Sequence, residues 1–351
     1  VSRLLLLATG DTLAHVRHGS PPRVATGAEL LARTGHRGVV RVEDLAAEPA
    51  WDTSPGTQLA IARRVRSALL DDGFDGVVVT HGLDTVEETA FLTDAVLGQA
   101  ADFGSVVFTG ALRCLDDPAS DGLLNLAAAL TAAADPVAPG LGALVCADGE
   151  LHAARWVALL DTVRGPALTS YPFRRVGHLE RGRVVLTDKV PPRPPAVAEL
   201  PETDVALVKT YPGMPTSLLN AVVDAGARGV VLEGTGAANV PVELLVPIRE
   251  LTSWDIPVVL ASRAFAPGPV GVAAEAAEDA EDAEDIENAE RGLFGDRVDP
   301  GSMAVDVSGL AARVGAIGAR GLRAGQARVA LMAALGGGGG VAAARRYFAA
   351  L

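Results

Sequence analysis

The chain has 351 residues, 49% of them apolar, a formal charge of −13 and two cysteines. That length is ample for two domains with cores of their own, and the pair Cys114 and Cys146, read as small core residues at strand ends, excludes a disulfide-stapled scaffold and a cysteine metal cluster. Nine of the 43 acids lie between Glu275 and Glu290, which leaves −4 for the rest; no basic face is left for nucleic acid, and no apolar run approaches the roughly 18 residues of a membrane span.

In chain order, residues 4–8 run apolar into Thr9-Gly10-Asp11-Thr12. Following a single arginine, this run is too short for a signal-peptide core and reads as a first core strand, which makes the chain cytoplasmic. Thr26 and Glu29 have capping-box spacing ahead of Leu30. Ser54-Pro55 opens a longer helix with Ile61, Val65 and Leu69 on one face, ended by Asp72-Gly73. Residues 77–80 form the next strand, and Thr85 with Glu88 predicts a second capping box. Residues 105–108 and 143–146 are further strands, and 176–186 reads as a hairpin around Glu180-Arg181-Gly182-Arg183. This alternation is the α/β pattern of a doubly wound sheet.

Residues 189–202 hold five prolines and almost no periodicity, an extended linker. A second α/β unit follows: strand 205–208, helix 218–225 closed by Gly226, strand 230–232, helix 242–251 and strand 258–260. The acidic, alanine-rich run 275–290 is read as a solvated low-complexity insertion. Gly336 to Gly340 breaks the chain before a terminal helix. The predicted domains are thus 1–188, carrying the site, and 203–351, joined by the linker.

The most informative stretches are two strand ends. Val77-Val78-Val79-Thr80 leads into His81-Gly82-Leu83-Asp84-Thr85, and residues 4–8 lead into Gly10-Asp11-Thr12. In open α/β sheets ligands bind beyond the carboxyl ends of the strands, so these turns place a site at Thr12 and Asp84. The segments LLLLATGDTLA and DGVVVTHGLDTVEETAFLTDAVL resemble the two signature motifs of the bacterial L-asparaginase/glutaminase family. VVFTGALR with SDGLLNLAAAL, then VKTYPGMPTSLLNAVVDAGARGVVLEGTGAANVP and RGLRAGQARVALMAAL, resemble later family segments in order. The resemblance implies an asparaginase-like fold: a larger N-terminal doubly wound α/β domain and a smaller C-terminal parallel-sheet domain. It also implies a homodimer or homotetramer, with a carboxylate of a neighbouring subunit, in the region of Asp306 and Ser308, completing each pocket.

By the resemblance Thr12 stands at the nucleophile position and Asp84 at the aspartate that holds a substrate ammonium. Asp11, Trp51, Leu83 and Ala111 fall among the substrate-contacting positions. The departures are specific. Asp11 replaces the second glycine of the first turn, although neighbours such as Asp11 and Thr12 seldom face each other. Leu83 stands for a threonine, and Leu159 lies at or near the position of a lysine; Lys189 and Lys209 are the lysines of the chain. Ala50, followed by Trp51, takes the place of the serine that grips an α-carboxylate, and no tyrosine precedes Tyr171. A pocket that trades polar handles for apolar walls loses selectivity for a polar ligand.

The alternative bases are His15 and His18, whose imidazoles suit neutral pH; two histidines are too few for zinc. His81 is read as structural. Gly234-Thr235-Gly236 lacks the third glycine and the lysine of a phosphate loop. No cofactor is expected. The expected function is therefore a diverged threonine amidohydrolase acting on a side-chain, modified amino-acid or peptide amide and poor on free asparagine. The alternatives are a catalytically silent binding or regulatory protein of the same fold and an asparaginase with a rewired base.

Overall fold

The computed structural model describes residues 2–18, 21–45, 49–197, 200–264 and 310–351. The acidic run and the region of Asp306 and Ser308 lie outside them. The chain divides into two compact units, Val1–Ala196 and Val197–Leu351.

The first unit is built on an eight-stranded sheet. Its parallel half comprises β1 (Arg3–Ala8), β4 (Val39–Asp44), β5 (Gly76–Thr80), β6 (Ser105–Thr109) and β7 (Ala143–Ala147). A short pair, β2 (His15–Val16) and β3 (Arg23–Val24), precedes β4. The order across this half is β7-β6-β5-β1-β4, and β8 (Glu150–Ala153), β11 (Gly177–Glu180) and β12 (Arg183–Leu186) extend it through antiparallel pairings. Between β8 and β11 a small hairpin pairs β9 (Ala158–Leu159) with β10 (Leu168–Thr169).

The central strands are buried on both faces, and their side chains alternate between two cores. Leu5, Leu7, Val77, Val79 and Phe108 pack with α2 (Pro55–Leu70) and α3 (Val86–Leu97). Leu4, Leu6, Val78 and Val107 pack with α1 (Gly27–Thr34) and α4 (Gly122–Ala134). Helices on both faces make the sheet doubly wound.

Local signals explain several boundaries. The Thr26–Glu29 capping box forms in both directions. Ser54 accepts the Thr57 amide, with Pro55 at the first helical position. The second capping box does not form: Thr85 makes no capping bond, and its hydroxyl donates to the Ala50 carbonyl at 2.7 Å. Cys146 lies within β7, whereas Cys114 sits five residues beyond β6 rather than at its end; both are buried thiols.

The second unit contains the parallel strands β13 (Val205–Lys209), β14 (Gly229–Gly234), β15 (Val258–Ser262) and β16 (Ile317–Gly318), in that order across the sheet. Its helices include α5 (Thr216–Asp224), α6 (Leu245–Ser253), α7 (Ala324–Leu335) and α8 (Val341–Ala349). The first turn of the helix expected from residue 242 is 3-10, and the α-helix begins at Leu245. This unit has its own core around Val230, Leu232, Ile248, Val258 and Leu260. Among the described residues no helix is long and apolar enough to cross a membrane.

Candidate active site

The carboxyl ends of the central strands lie level. Ala8 pairs with Thr80, Thr80 with Thr109, and Thr109 with Cys146. Threonine side chains fasten this edge beyond the ladder. Thr9 donates its amide to Thr80 Oγ1 at 3.1 Å and its hydroxyl to the Thr80 carbonyl at 2.5 Å, and Thr109 Oγ1 donates to the Cys146 carbonyl at 2.8 Å. These threonines are buried. The two signature turns therefore leave the sheet side by side from a fixed platform.

In the first turn Gly10 and Asp11 both adopt positive φ, 84° and 67°. Glycine takes that conformation freely, whereas Asp11, with ψ at −166°, lies in an extended positive-φ region that side-chained residues rarely enter. Thr12 then starts a 3-10 turn, Thr12–Ala14. The expectation that Asp11 and Thr12 would not face each other is overturned, because the left-handed backbone at Asp11 swings its carboxylate back over Thr12. Asp11 Oδ1 accepts the Thr12 amide at 2.5 Å and the Thr12 hydroxyl at 3.0 Å. Asp11 Oδ2 accepts the Ala50 amide at 2.7 Å. Asp11 is buried and Thr12 partly so.

The second turn closes against the first. A Cβ at Gly82 would collide with Asp11 Oδ2 and with the Ala50 Cβ. The Thr85 bond to the Ala50 carbonyl fixes Ala50 through its following peptide as well. His81 is buried, its Nδ1 is 2.8 Å from the Gly82 carbonyl, and burial lowers its pKa against the opposing pull of that carbonyl, Asp11 and Asp84. Asp84 itself is exposed on the turn before α3.

The apolar candidate residues occupy definite places. Leu83 is buried, contributes to the α2–α3 core, and packs where a Cβ on Gly110 would lie; Leu159 borders the same core, and its amide is held by Glu87 Oε1 at 2.9 Å. Ala111 is buried, and a Cβ on Gly122 would touch both it and Leu13. Trp51 is 65% exposed, on the 3-10 turn Ala50–Asp52 whose first residue is bonded to Asp11.

His15 opens β2 and pairs with Val24. His18 is exposed, and its backbone amide and Nδ1 both meet Asp116 Oδ2, at 2.6 and 3.0 Å. The Asp116 carboxyl is drawn down to about 2, chiefly by the His18 backbone amide. Neither imidazole bonds to Thr12 among the described residues, where the hydroxyl's partner is Asp11. The structure thus joins Asp11, Thr12, Ala50 and Thr85 by hydrogen bonds, with Gly82 packed against Asp11 and Ala50. Gly82 and Thr85 carried no signal of that role in the sequence beyond the motif itself. No group of three potential metal ligands occurs among the described residues.

Two α/β units, with two motif turns converging at the carboxyl edge of the larger sheet, define a class of protein, and comparison with known proteins gives the family. Residues 3–192 match the model "Asparaginase, N-terminal", and residues 204–290 match "Glutaminase/Asparaginase C-terminal domain". The chain belongs to the asparaginase family. It is 33% identical over 273 residues to a probable L-asparaginase of Deinococcus radiodurans, covering 76% of this chain and 81% of that one. It is 27% identical over 268 residues to an L-asparaginase of Bacillus licheniformis, 75% of this chain and 82% of that one. It is also 31% identical over 285 residues to a glutamyl-tRNA(Gln) amidotransferase subunit of Pyrobaculum aerophilum, covering 74% of this chain and 65% of that one. A solved structure, a probable cytoplasmic L-asparaginase from Campylobacter jejuni, superposes with a TM-score of 0.79 at 24% identity over all of both chains, a likeness of fold.

Proposed function

We propose that this chain is an amidohydrolase that attacks a carboxamide with the hydroxyl of Thr12. The observation that carries the reading is the Asp11 carboxylate oxygen 3.0 Å from Thr12 Oγ1. As Oγ1 adds to the amide carbon, its proton passes to Asp11 Oδ1. The C–N bond then breaks, the proton goes to the leaving nitrogen, and ammonia departs from a threonyl ester. Water attacks the ester with Asp11 taking its proton, the acid is released, and the proton returns to Oγ1. Asp84, exposed on the adjoining turn, is the group proposed to face a substrate ammonium.

The apolar packing of Leu83 and Leu159, at positions where the resemblance expects polar substrate contacts, supports a substrate less polar than free asparagine, such as a modified amino acid or a peptide amide. A site without matching polar partners discriminates poorly for a zwitterion. Ammonia release across a panel of such amides tests the proposal. The expected result is turnover that falls by about 100-fold or more in Thr12→Ala, the scale of losing a nucleophile. Equal release by both proteins would contradict it.

A second reading, a binding protein that has lost catalysis, draws on the same Leu83 and Leu159. It gains if the panel binds without any Thr12-dependent release. Turnover of asparagine itself at the top of the panel supports instead an asparaginase with a rewired base. Assembly as a homodimer or homotetramer is proposed with either reading, and sedimentation measures it directly.

A further inference from the structure

The carboxylate of Asp11 leaves little for an incoming carboxylate to bind. Its Oδ2 takes the amide of Ala50, the first residue of a 3-10 turn. Its Oδ1 takes both the amide and the hydroxyl of Thr12. Gly82 closes over it with no room for a Cβ, and Thr85 anchors the Ala50 carbonyl. This resident anion is therefore held in a built cradle of backbone donors, with Ala50 itself buried.

The ionised groups that act on the buried His81 are Asp11 and Asp84, both carboxylates, and His81 is held towards its neutral form. A substrate carboxylate beside Thr12 would meet the Asp11 carboxylate and a backbone donor already engaged by it. Like-charge juxtaposition is a strong negative selector.

We infer that the site selects primary carboxamides with no free carboxylate near the reacting group: neutral or cationic amides, such as an asparagine side chain whose α-carboxyl is itself blocked. The inference rests on the amidohydrolase reading and names the substrate class of that site. Asp11 is the specificity-determining residue.

The test compares L-asparagine with its α-N-methylamide, which carries the same single primary amide but no carboxylate. Ammonia release and calorimetric binding are measured for the wild type, Asp11→Asn and Asp11→Gly. The ratio of the two substrates is the readout, since it cancels any general loss of proton transfer. Asp11→Gly suits a positive-φ position, and Asp11→Asn keeps an oxygen for Ala50 while removing the charge. The wild type is expected to favour the N-methylamide by about 10-fold or more, the scale of an unfavourable like-charge contact, and both variants to bring the ratio towards unity. A wild-type preference for asparagine, or a ratio unmoved in both variants, would overturn the inference. If neither compound is hydrolysed in a Thr12-dependent way, the amidohydrolase reading fails and the binding preference still decides this one; binding of neither compound overturns it.

Discussion

At the scale of single residues, Asp11 joins backbone strain to the proposed chemistry. A side-chained residue at φ 67° and ψ −166° costs about 1–3 kcal/mol relative to glycine. Three hydrogen bonds to its carboxylate hold it there. The presence of aspartate was legible in the sequence, but its consequence was not. Adjacent side chains ordinarily diverge, and only the left-handed backbone turns this one onto its neighbour. Gly82 is the complementary residue, because its missing side chain is the space that Asp11 Oδ2 and the Ala50 Cβ use. Gly82→Ala is expected to lower stability by about 1–3 kcal/mol, the usual scale of overpacking, and to reduce amide turnover. Adding Asp11→Gly to Gly82→Ala should restore part of the lost stability, because one of the two collisions disappears. Thermal unfolding of the two single variants and the double variant measures the coupling, and wild-type stability in Gly82→Ala would refute the packing explanation.

At the scale of elements, periodicity and capping residues located most strands and helices of the parallel half, since buried parallel strands read as continuous apolar runs. The failures have identifiable causes. Thr85 has the spacing of a capping residue, yet tertiary structure offers its hydroxyl the Ala50 carbonyl instead. The edge strand β4 and the short pair β9–β10 carry too few or too mixed side chains to announce themselves. A further joint is Asp94 on α3, whose Oδ1 accepts the amide of Ala143 at the start of β7 at 2.9 Å. Burial raises its pKa from 3.8 to about 6, against the pull of that amide, Arg193 and Arg155. The folded state thus holds a proton on Asp94 that the unfolded state has released once pH exceeds about 4. The stability this contributes is present below that pH and is lost as pH rises through about 6. Asp94→Asn keeps an oxygen for Ala143 and removes the ionisation. It is expected to gain roughly 1–3 kcal/mol over the wild type at pH 8 and much less at pH 4. Burial pulls His152 the opposite way, down to about 4, but it is common to both proteins and drops out of the difference. Equal gains at the two pH values would show that Asp94 is not the titrating group.

At the scale of the whole molecule, both units are legible from the alternation of strands and helices and from family motifs spread along the chain. The site is legible only in part. Thr12 and Asp84 announce themselves because they stand at the carboxyl ends of apolar strands, where an α/β sheet presents its ligand. The surroundings of three candidate residues were not legible: Leu83 and Leu159 border one hydrophobic core, and Asp11 accepts the Ala50 amide. The family is shared with known asparaginases, and the function proposed here is argued from the site rather than from the fold.

The proposed chemistry turns on one bond, between the hydroxyl oxygen of Thr12, held by Asp11, and the substrate acyl group. Intact and peptide mass spectrometry of protein quenched during turnover of the carboxylate-free amide looks for that bond itself. The expected result is an acyl adduct on the peptide containing Thr12, absent from Thr12→Ala. Ammonia release with an adduct on another residue, or with equal adduct in Thr12→Ala, would contradict it.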